Sequence, residues 1–300
     1  MTVRNLLSKI GLCLAVACGL TGCAAPLFSG SSTSWSKFEQ EHVFVQARYP
    51  QGNWNPTAFE FEDVWFSSDD GTRLNGWYCH HEKPTAVLLF AHGNAGNVTH
   101  CAETLRMLHD RYHMAVMSFD YRGYGKSDGE PSEHGILEDT RAARRWLARR
   151  SNVAERDVVL MGQSLGGGVA VDLASRDGAR GLILLSTFTS LPDVAAHHWP
   201  LLPTGLLMHN RFHSISKIDE YHGPLLQVHG DKDRTVPFAQ GQKLFARAHE
   251  PKRFVINHGA GHNDPLPDEF GTALGEFIAA LPAAQPLPKQ PRWHATGAAE

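Results

Sequence analysis

Short apolar runs alternate along the chain with longer segments in which apolar residues recur at helical spacing. Residues 59–66 and 73–79 flank the turn-rich stretch SSDDGT and predict a β-hairpin. Residues 86–93, AVLLFAHG, are continuously apolar, which is typical of a strand buried on both faces of a sheet. Further strands are predicted at residues 114–120, 157–162, 181–187, 224–230 and 253–259.

Segments with helical spacing fill most of the intervals between these runs. The predicted helices cover residues 97–112, 132–149, 164–175, 238–248 and 269–281. A hairpin followed by repeated strand–helix units predicts the α/β class, with a mostly parallel, twisted sheet covered by helices on both faces.

The first 22 residues have the pattern of a secretory signal peptide. Arg4 and Lys9 mark a basic region, and the apolar stretch at residues 10–20 is too short to span a bilayer comfortably. The string LTGC that ends this stretch resembles the lipobox of bacterial lipoproteins, which implies cleavage before Cys23 and a lipid on its thiol. Alanines rather than aspartate follow the cysteine, which favours the outer membrane, facing the periplasm. An ordinary signal peptide with a chance cysteine is the alternative.

The rest of the chain divides into a tether, a body and a tail. Residues 23–40 include SGSSTSWS and predict a flexible tether. Residues 41–281 are enough for one large domain with a sizeable core. Residues 282–300 are rich in proline and alanine without apolar periodicity, which predicts a disordered tail.

Composition excludes several classes of partner. The net charge of −3 gives no reason to expect nucleic acid, and the arginines of residues 141–150 fit the solvated face of a helix. The 18 histidines include no H-E-x-x-H pattern, so we predict neither a metal nor a cofactor. Cys79 and Cys101 remain after processing, and the sequence leaves open whether they form a disulfide.

The most informative motif is GQSLG at residues 162–166, placed between a predicted strand and a predicted helix. A phosphate-binding loop would need a lysine after its glycines, and GQSLGGG has none. A plain turn remains possible from five residues, but the strand–turn–helix context favours a nucleophile elbow, in which Ser164 projects over a helix N-terminus.

A serine nucleophile needs a base, and the base needs an acid that orients it. For this fold we expect the order serine, acid, histidine along the chain. Two candidates for each role follow predicted strands: the acids are Asp231 and Asp233, and the bases are His258 and His262. Glycines in AHGNAGN, residues 91–97, would keep backbone N–H groups accessible as an oxyanion hole.

The strings HGNAGN, FDYRGYGKSDG, GQSLGG, STFTSLPDVA, HGDKDRTVP and GAGHND resemble the α/β-hydrolases, in the branch that includes eukaryotic protein-depalmitoylating serine hydrolases. The resemblance covers about residues 59–281. It implies Asp233 as the acid, His262 as the base, and the backbone N–H groups of Asn94 and Leu165 as oxyanion donors. The depalmitoylases carry an N-terminal cysteine cluster that this chain lacks, so a protein-thioester substrate does not follow from it.

The resemblance implies hydrolysis of carboxylic esters or thioesters through an acyl-enzyme on Ser164, with a small-molecule or lipid ester as substrate. It also implies a cap insertion at about residues 188–217. Its apolar residues could line an acyl pocket or only pack the cap onto the body; the candidates are Trp199, Leu202, Leu206 and Leu207. A serine peptidase of the same fold is the alternative. A non-catalytic binding protein is disfavoured because all three triad positions are filled.

Overall fold

The computed structural model describes Glu39, residues 43–57 and residues 60–284. The predicted signal peptide, the lipidated Cys23 and nearly all of the predicted tether lie outside these residues, as do residues 285–300 of the predicted tail.

A single mixed sheet lies at the centre of this part of the chain. Its strands are β1 (Glu62–Ser67), β2 (Arg73–Cys79), β3 (Val87–Ala91), β4 (Ala115–Phe119), β5 (Val159–Gln163), β6 (Leu182–Leu185), β7 (Leu225–Gly230) and β8 (Lys252–Asn257). Their spatial order is β1-β2-β4-β3-β5-β6-β7-β8. The β1–β2 hairpin is antiparallel, β2 pairs antiparallel with β4, and every pair from β4 to β8 is parallel.

Helices cover both faces of the sheet. They are α1 (Ala102–Tyr112), α2 (Glu133–Arg150), α3 (Leu165–Asp177), α4 (Leu191–His198), α5 (Thr204–Leu207), α6 (Phe238–Arg247) and α7 (Asp268–Ala280). The helix predicted at residues 97–112 begins with a short 3₁₀ turn, Val98–Cys101, before α1. The Ser132 hydroxyl caps α2 by accepting a hydrogen bond from the Gly135 N–H at 3.1 Å.

Alternate side chains of the central strands enter two separate cores. On β3, Leu89 packs on the side of α2 and α3, whereas Leu88 and Phe90 pack on the side of α1 and α7. Because neither face of β3 meets solvent, neither face carries polar side chains, and this explains the unbroken apolar run of the strand. The predicted α/β fold is therefore confirmed, with a mostly parallel sheet between two layers of helices.

Cys79 and Cys101 are both buried and both free. Burial raises the pKa of each thiol to about 12, so neither is a reactive thiolate at neutral pH. The 188–217 segment, where a cap was expected, contains α4 and α5. None of the helices in the described ranges has the length and apolar character of a membrane span.

Candidate active site

Ser164 lies on a sharp turn between β5 and α3. Its backbone angles, φ 52° and ψ −115°, are rarely adopted by residues other than glycine. Because the turn is tight, the start of α3 lies so close to β3 that a Cβ at Gly166 would be 2.0 Å from the carbonyl oxygen of Ala91. A Cβ at Gly162 would lie 2.2 Å from the carbonyl oxygen of Gly166. The glycines of the motif thus permit a tight turn that raises Ser164 at the carboxyl edge of the sheet.

Three strands bring Ser164, Asp233 and His262 together, because β5, β7 and β8 are parallel and all end at this edge. His262 Nε2 lies 3.0 Å from the Ser164 hydroxyl oxygen. His262 Nδ1 lies 2.7 Å from Asp233 Oδ2. The other two candidates do not enter this chain of hydrogen bonds: Asp231 and His258 pair with each other, 3.1 Å apart, on the exposed side.

The Asp233 carboxylate is fully enclosed and accepts hydrogen bonds on both oxygens. Oδ1 accepts from the backbone N–H groups of Thr235 and Val236, at 2.8 and 2.9 Å. Burial alone would raise the pKa of Asp233, but hydrogen bonds from His229 and His262 outweigh it and hold that pKa well below its usual range. Asp233 is therefore ionised and fixed in orientation, as a group that steadies an imidazolium must be.

His229 is a residue of this site that the sequence reasoning missed. It lies on β7 with no exposed surface, and its Nε2 is 2.9 Å from the Val236 carbonyl oxygen and 3.2 Å from Asp233 Oδ2. A carbonyl oxygen only accepts, so Nε2 carries the proton and faces the Asp233 carboxylate. The H-G-x-x-D string contains both His229 and Asp233, but a linear pattern does not show that the two side chains meet.

Asn94 and Leu165, the expected oxyanion donors, both line the cavity beside Ser164. Leu165 is the first residue of α3, so its N–H lacks an intrahelical acceptor and lies at the positive end of the helix dipole. The Asn94 Oδ1 accepts hydrogen bonds from the Tyr124 hydroxyl at 3.0 Å and the Val45 N–H at 3.1 Å. These bonds hold the loop after β3 in place beside the serine.

The cavity has a volume of about 540 Å³ and opens over Ser164 and His262. Its apolar lining includes Val43, Phe90, Phe188, Leu191, Val194 and Val236. The expected acyl-pocket residues do not line it. Leu202 and Leu206 are 40% and 86% exposed, and Trp199 and Leu207 are half-buried away from the cavity wall. The physical reason is that α4 covers the cavity with its first turns, so the segment after it points outward.

The arrangement suits acyl transfer. A hydroxyl next to a histidine whose other nitrogen faces a carboxylate can attack a carbonyl, and a helix N-terminus can stabilise the oxyanion that forms. The part of the chain that the structure describes contains no group of three His, Cys, Asp or Glu side chains placed to hold a metal ion.

Comparisons with known proteins agree with this geometry. Residues 82–215 match the family model Hydrolase_4, described as serine aminopeptidase, S33. The chain is 36% identical over 241 residues to the Escherichia coli protein YfhR, covering 76% of this chain and 83% of that one. It is 33% identical to the α/β hydrolase domain-containing protein WAV2 of Arabidopsis thaliana, covering 63% of this chain and 67% of WAV2.

Among solved structures, the Pyrococcus furiosus esterase Pf2001 matches with a TM-score of 0.65 and 22% sequence identity, covering 79% of this chain and 99% of that one. At this sequence identity, the match supports a shared fold and carries no argument about activity. Together with the sequence relatives, it shows that the chain belongs to the α/β-hydrolase superfamily and is a hydrolase of that class.

Proposed function

We propose that this hydrolase cleaves carboxylic esters or thioesters through an acyl-enzyme on Ser164. The observation that supports it most directly is the hydrogen-bonded chain from Ser164 through His262 to Asp233 at the wall of a cavity lined by apolar and uncharged polar side chains. His262 takes the hydroxyl proton as Ser164 attacks the acyl carbonyl, and Asp233 steadies the imidazolium. The N–H groups of Asn94 and Leu165 bind the oxyanion. The imidazolium then gives its proton to the leaving alcohol or thiol as the acyl-enzyme forms. Neutral His262 next takes a proton from water, which attacks the acyl-enzyme and releases the carboxylic acid, and the Ser164 hydroxyl regains its proton.

The cavity lining also bears on the choice between ester and peptide. An aminopeptidase, the activity in the description of the matching family model, binds a protonated α-amino group, and a charged group taken out of water is best compensated by a carboxylate beside it. Among the described residues, the side chains that line this cavity include no aspartate or glutamate. This favours an uncharged acyl group over a free peptide N-terminus. The peptidase remains the second candidate function because of the family match.

The test measures hydrolysis of p-nitrophenyl esters of increasing acyl length beside aminoacyl p-nitroanilides. We expect ester hydrolysis, and we expect Ser164→Ala to reduce kcat by at least about 10⁴-fold and to abolish labelling by a fluorophosphonate probe. Asp233→Asn should retain some activity while reducing kcat by about 10⁴-fold, as in another serine triad, because the tautomer changes. Ser175→Ala, farther along α3, is the matched control. Faster cleavage of the anilides would favour the peptidase.

We also propose that Cys23 carries the lipid that anchors the protein in the bacterial envelope, at the outer membrane facing the periplasm. The support is the LTGC string after the apolar stretch. Cys23→Ser should abolish incorporation of radioactive palmitate and leave the signal peptide uncleaved. Cys18→Ser, within the signal peptide, should be labelled like the parent. Normal labelling of Cys23→Ser would contradict the anchor.

A further inference from the structure

The segment after α4 exposes large apolar side chains to solvent. Leu201 is 95% exposed, Leu206 is 86% exposed and Leu202 is 40% exposed. We call residues 201–206 the leucine tip. Isolated exposed leucines are ordinary, but three within six residues form a patch of the kind that marks a contact surface.

The leucine tip is attached to the wall of the active-site cavity. α4 lines that cavity with Leu191 and Val194 and is held at its other end by a hydrogen bond from His198 Nε2 to the Thr235 carbonyl, 2.9 Å long. Within the tip, the buried Thr204 hydroxyl donates to the carbonyl of Pro192 on α4 at 3.0 Å. The tip is therefore braced against the helix that covers the cavity, and its leucines point away from the body.

Glu39 binds the body beside the same tip. The buried Glu39 carboxylate accepts hydrogen bonds from the backbone N–H groups of His209 and Asn210, at 2.7 to 3.0 Å. Cys23 is 16 residues before Glu39, so even a fully extended chain places its thiol within about 55 Å of this point. A membrane that holds Cys23 would thus lie within reach of the tip.

A cation lies at the base of the tip. The exposed Arg211 guanidinium donates to the Gly205 carbonyl at 2.7 Å, while the Arg211 backbone N–H donates to Glu133. The carboxylates of Glu133 and Glu39 bind backbone N–H groups of residues 209–211, and no ion pair of the Arg211 guanidinium occurs among the residues that the structure describes. A guanidinium that faces exposed leucines suits a surface that combines phosphate groups with acyl chains.

We infer that the leucine tip docks into a phospholipid bilayer, with Leu201 and Leu206 among the acyl chains and Arg211 at the level of anionic headgroups. The docked tip turns the cavity mouth towards the membrane, so that acyl substrates enter from the lipid phase. This surface is separate from the proposed chemistry, although the argument from orientation rests on the proposed anchor at Cys23.

The test places an environment-sensitive fluorophore on Leu201→Cys in the full chain. Ala246→Cys, at an exposed position on α6, is the matched control, and the parent chain, labelled in the same way, gives the background from its own cysteines. Vesicles of phosphatidylethanolamine and phosphatidylglycerol should raise the emission at position 201 about threefold and shift it to the blue. Nitroxide-labelled lipid should quench it. The emission at position 246 should not change.

Several outcomes would overturn docking. Unchanged emission at position 201 in protein that co-sediments with vesicles would show that the tip stays in water. A blue-shifted signal before any lipid is added would show that residues preceding Glu39 cover it. A signal that rises with protein concentration in the absence of lipid would show that a second copy covers it.

An activity measurement separates docking from the proposed chemistry. Leu201→Ser should hydrolyse soluble p-nitrophenyl butyrate like the parent, but a long-chain ester embedded in vesicles about tenfold more slowly, since burial of one leucine in lipid is lost. Equal rates of parent and variant on the embedded ester would contradict docking. If the parent hydrolyses neither ester, the hydrolase proposal fails and the fluorescence measurement alone decides on docking.

Discussion

At the scale of single residues, His229 extends the proposed triad by one side chain. Its Nε2–H faces the enclosed Asp233 carboxylate, and its Nδ1 faces Gly241, where a Cβ would lie only 2.3 Å away. Gly241 thus leaves the space that the imidazole occupies. We regard His229 as a positioning residue, because it touches the acid and not the reacting serine.

Replacing His229 by leucine removes the hydrogen-bond donor, whereas glutamine can place an amide N–H near the same point. We expect His229→Leu to reduce kcat on a p-nitrophenyl ester by at least about tenfold with KM unchanged, because hydrogen bonds to a charged group contribute about 1.5–3 kcal/mol. His229→Gln should restore most of the loss. A KM effect without a kcat effect, or equal losses in both variants, would speak against the positioning role.

His92, at the end of β3, gives a prediction about pH. Its ring is buried against Tyr121, Nδ1 lies 2.7 Å from the Gly93 carbonyl, and burial lowers its pKa from 6.5 to about 4. The unfolded chain therefore takes up a proton first as the pH falls. The stability that this residue contributes is complete above pH 6.5 and is lost between pH 6.5 and 4.

His92→Asn keeps an N–H near the Gly93 carbonyl but does not titrate. Between pH 7.5 and 5, we expect the free energy of unfolding of the parent to fall by about 2 kcal/mol more than that of His92→Asn. Urea denaturation at the two pH values measures this difference. The exposed His134→Asn should follow the parent, and parallel curves for parent and His92→Asn would show that His92 is not buried as a neutral ring.

At the scale of elements, the turn from β5 to α3 depends on backbone groups that approach each other too closely for a Cβ to fit between them. Gly166 meets the carbonyl group of Ala91 on β3, which cannot move without disturbing the sheet. Gly275 on α7 gives a contrast, because a Cβ there would be 3.8 Å from the nearest atom, in the Tyr112 ring.

We expect Gly166→Ala to lower the free energy of unfolding by about 3 kcal/mol, from overpacking against backbone, and the thermal midpoint by roughly 6–12 °C. Gly275→Ala should leave the midpoint unchanged or raise it, because alanine is the better helix former. Calorimetry on the two variants decides this. A midpoint of Gly166→Ala equal to that of the parent would mean that α3 packs less closely than the structure shows.

At the scale of the whole molecule, the segment before β1 is fastened across the carboxyl edge of the sheet. Gly96 N–H donates to the Val45 carbonyl, Ala47 N–H donates to the Gly96 carbonyl, and Tyr49 N–H donates to the Gly125 carbonyl. Val43 lines the cavity itself. Val43, near the N-terminal limit of the predicted body, therefore contributes to the site. The Glu39 carboxylate fastens the start of the same segment by binding residues 209 and 210.

Glu39→Gln replaces one acceptor oxygen by an amide that faces the same N–H donors. We expect it to lower the free energy of unfolding by about 1–3 kcal/mol, because buried donors lose their partner. Hydrogen exchange at His209 and Asn210 should become faster. Glu130→Gln, which changes an exposed carboxylate, should have an effect below about 0.5 kcal/mol. Unchanged exchange at these two amides would rule out the contact as a fastening of this segment.

The sequence by itself determined the α/β class and the order of the main elements, and it favoured an elbow at Ser164 over a plain turn. These follow from short-range rules: apolar runs of strand length, helical spacing, and glycines where a tight turn leaves no room for a Cβ. Asp233 and His262 were separable from Asp231 and His258 only through the family resemblance, because adjacent candidates at the ends of strands look alike in a linear pattern.

Only the tertiary structure decided which side chains meet across strands and which face solvent. The contact of His229 with Asp233, the binding of Glu39 near α5, and the exposure of the leucine tip all depend on how distant segments pack. An apolar stretch such as residues 199–208 has the same composition whether it lines a pocket or projects from the surface. The difference arises from α4, which covers the cavity with its own first turns and leaves the leucines outside.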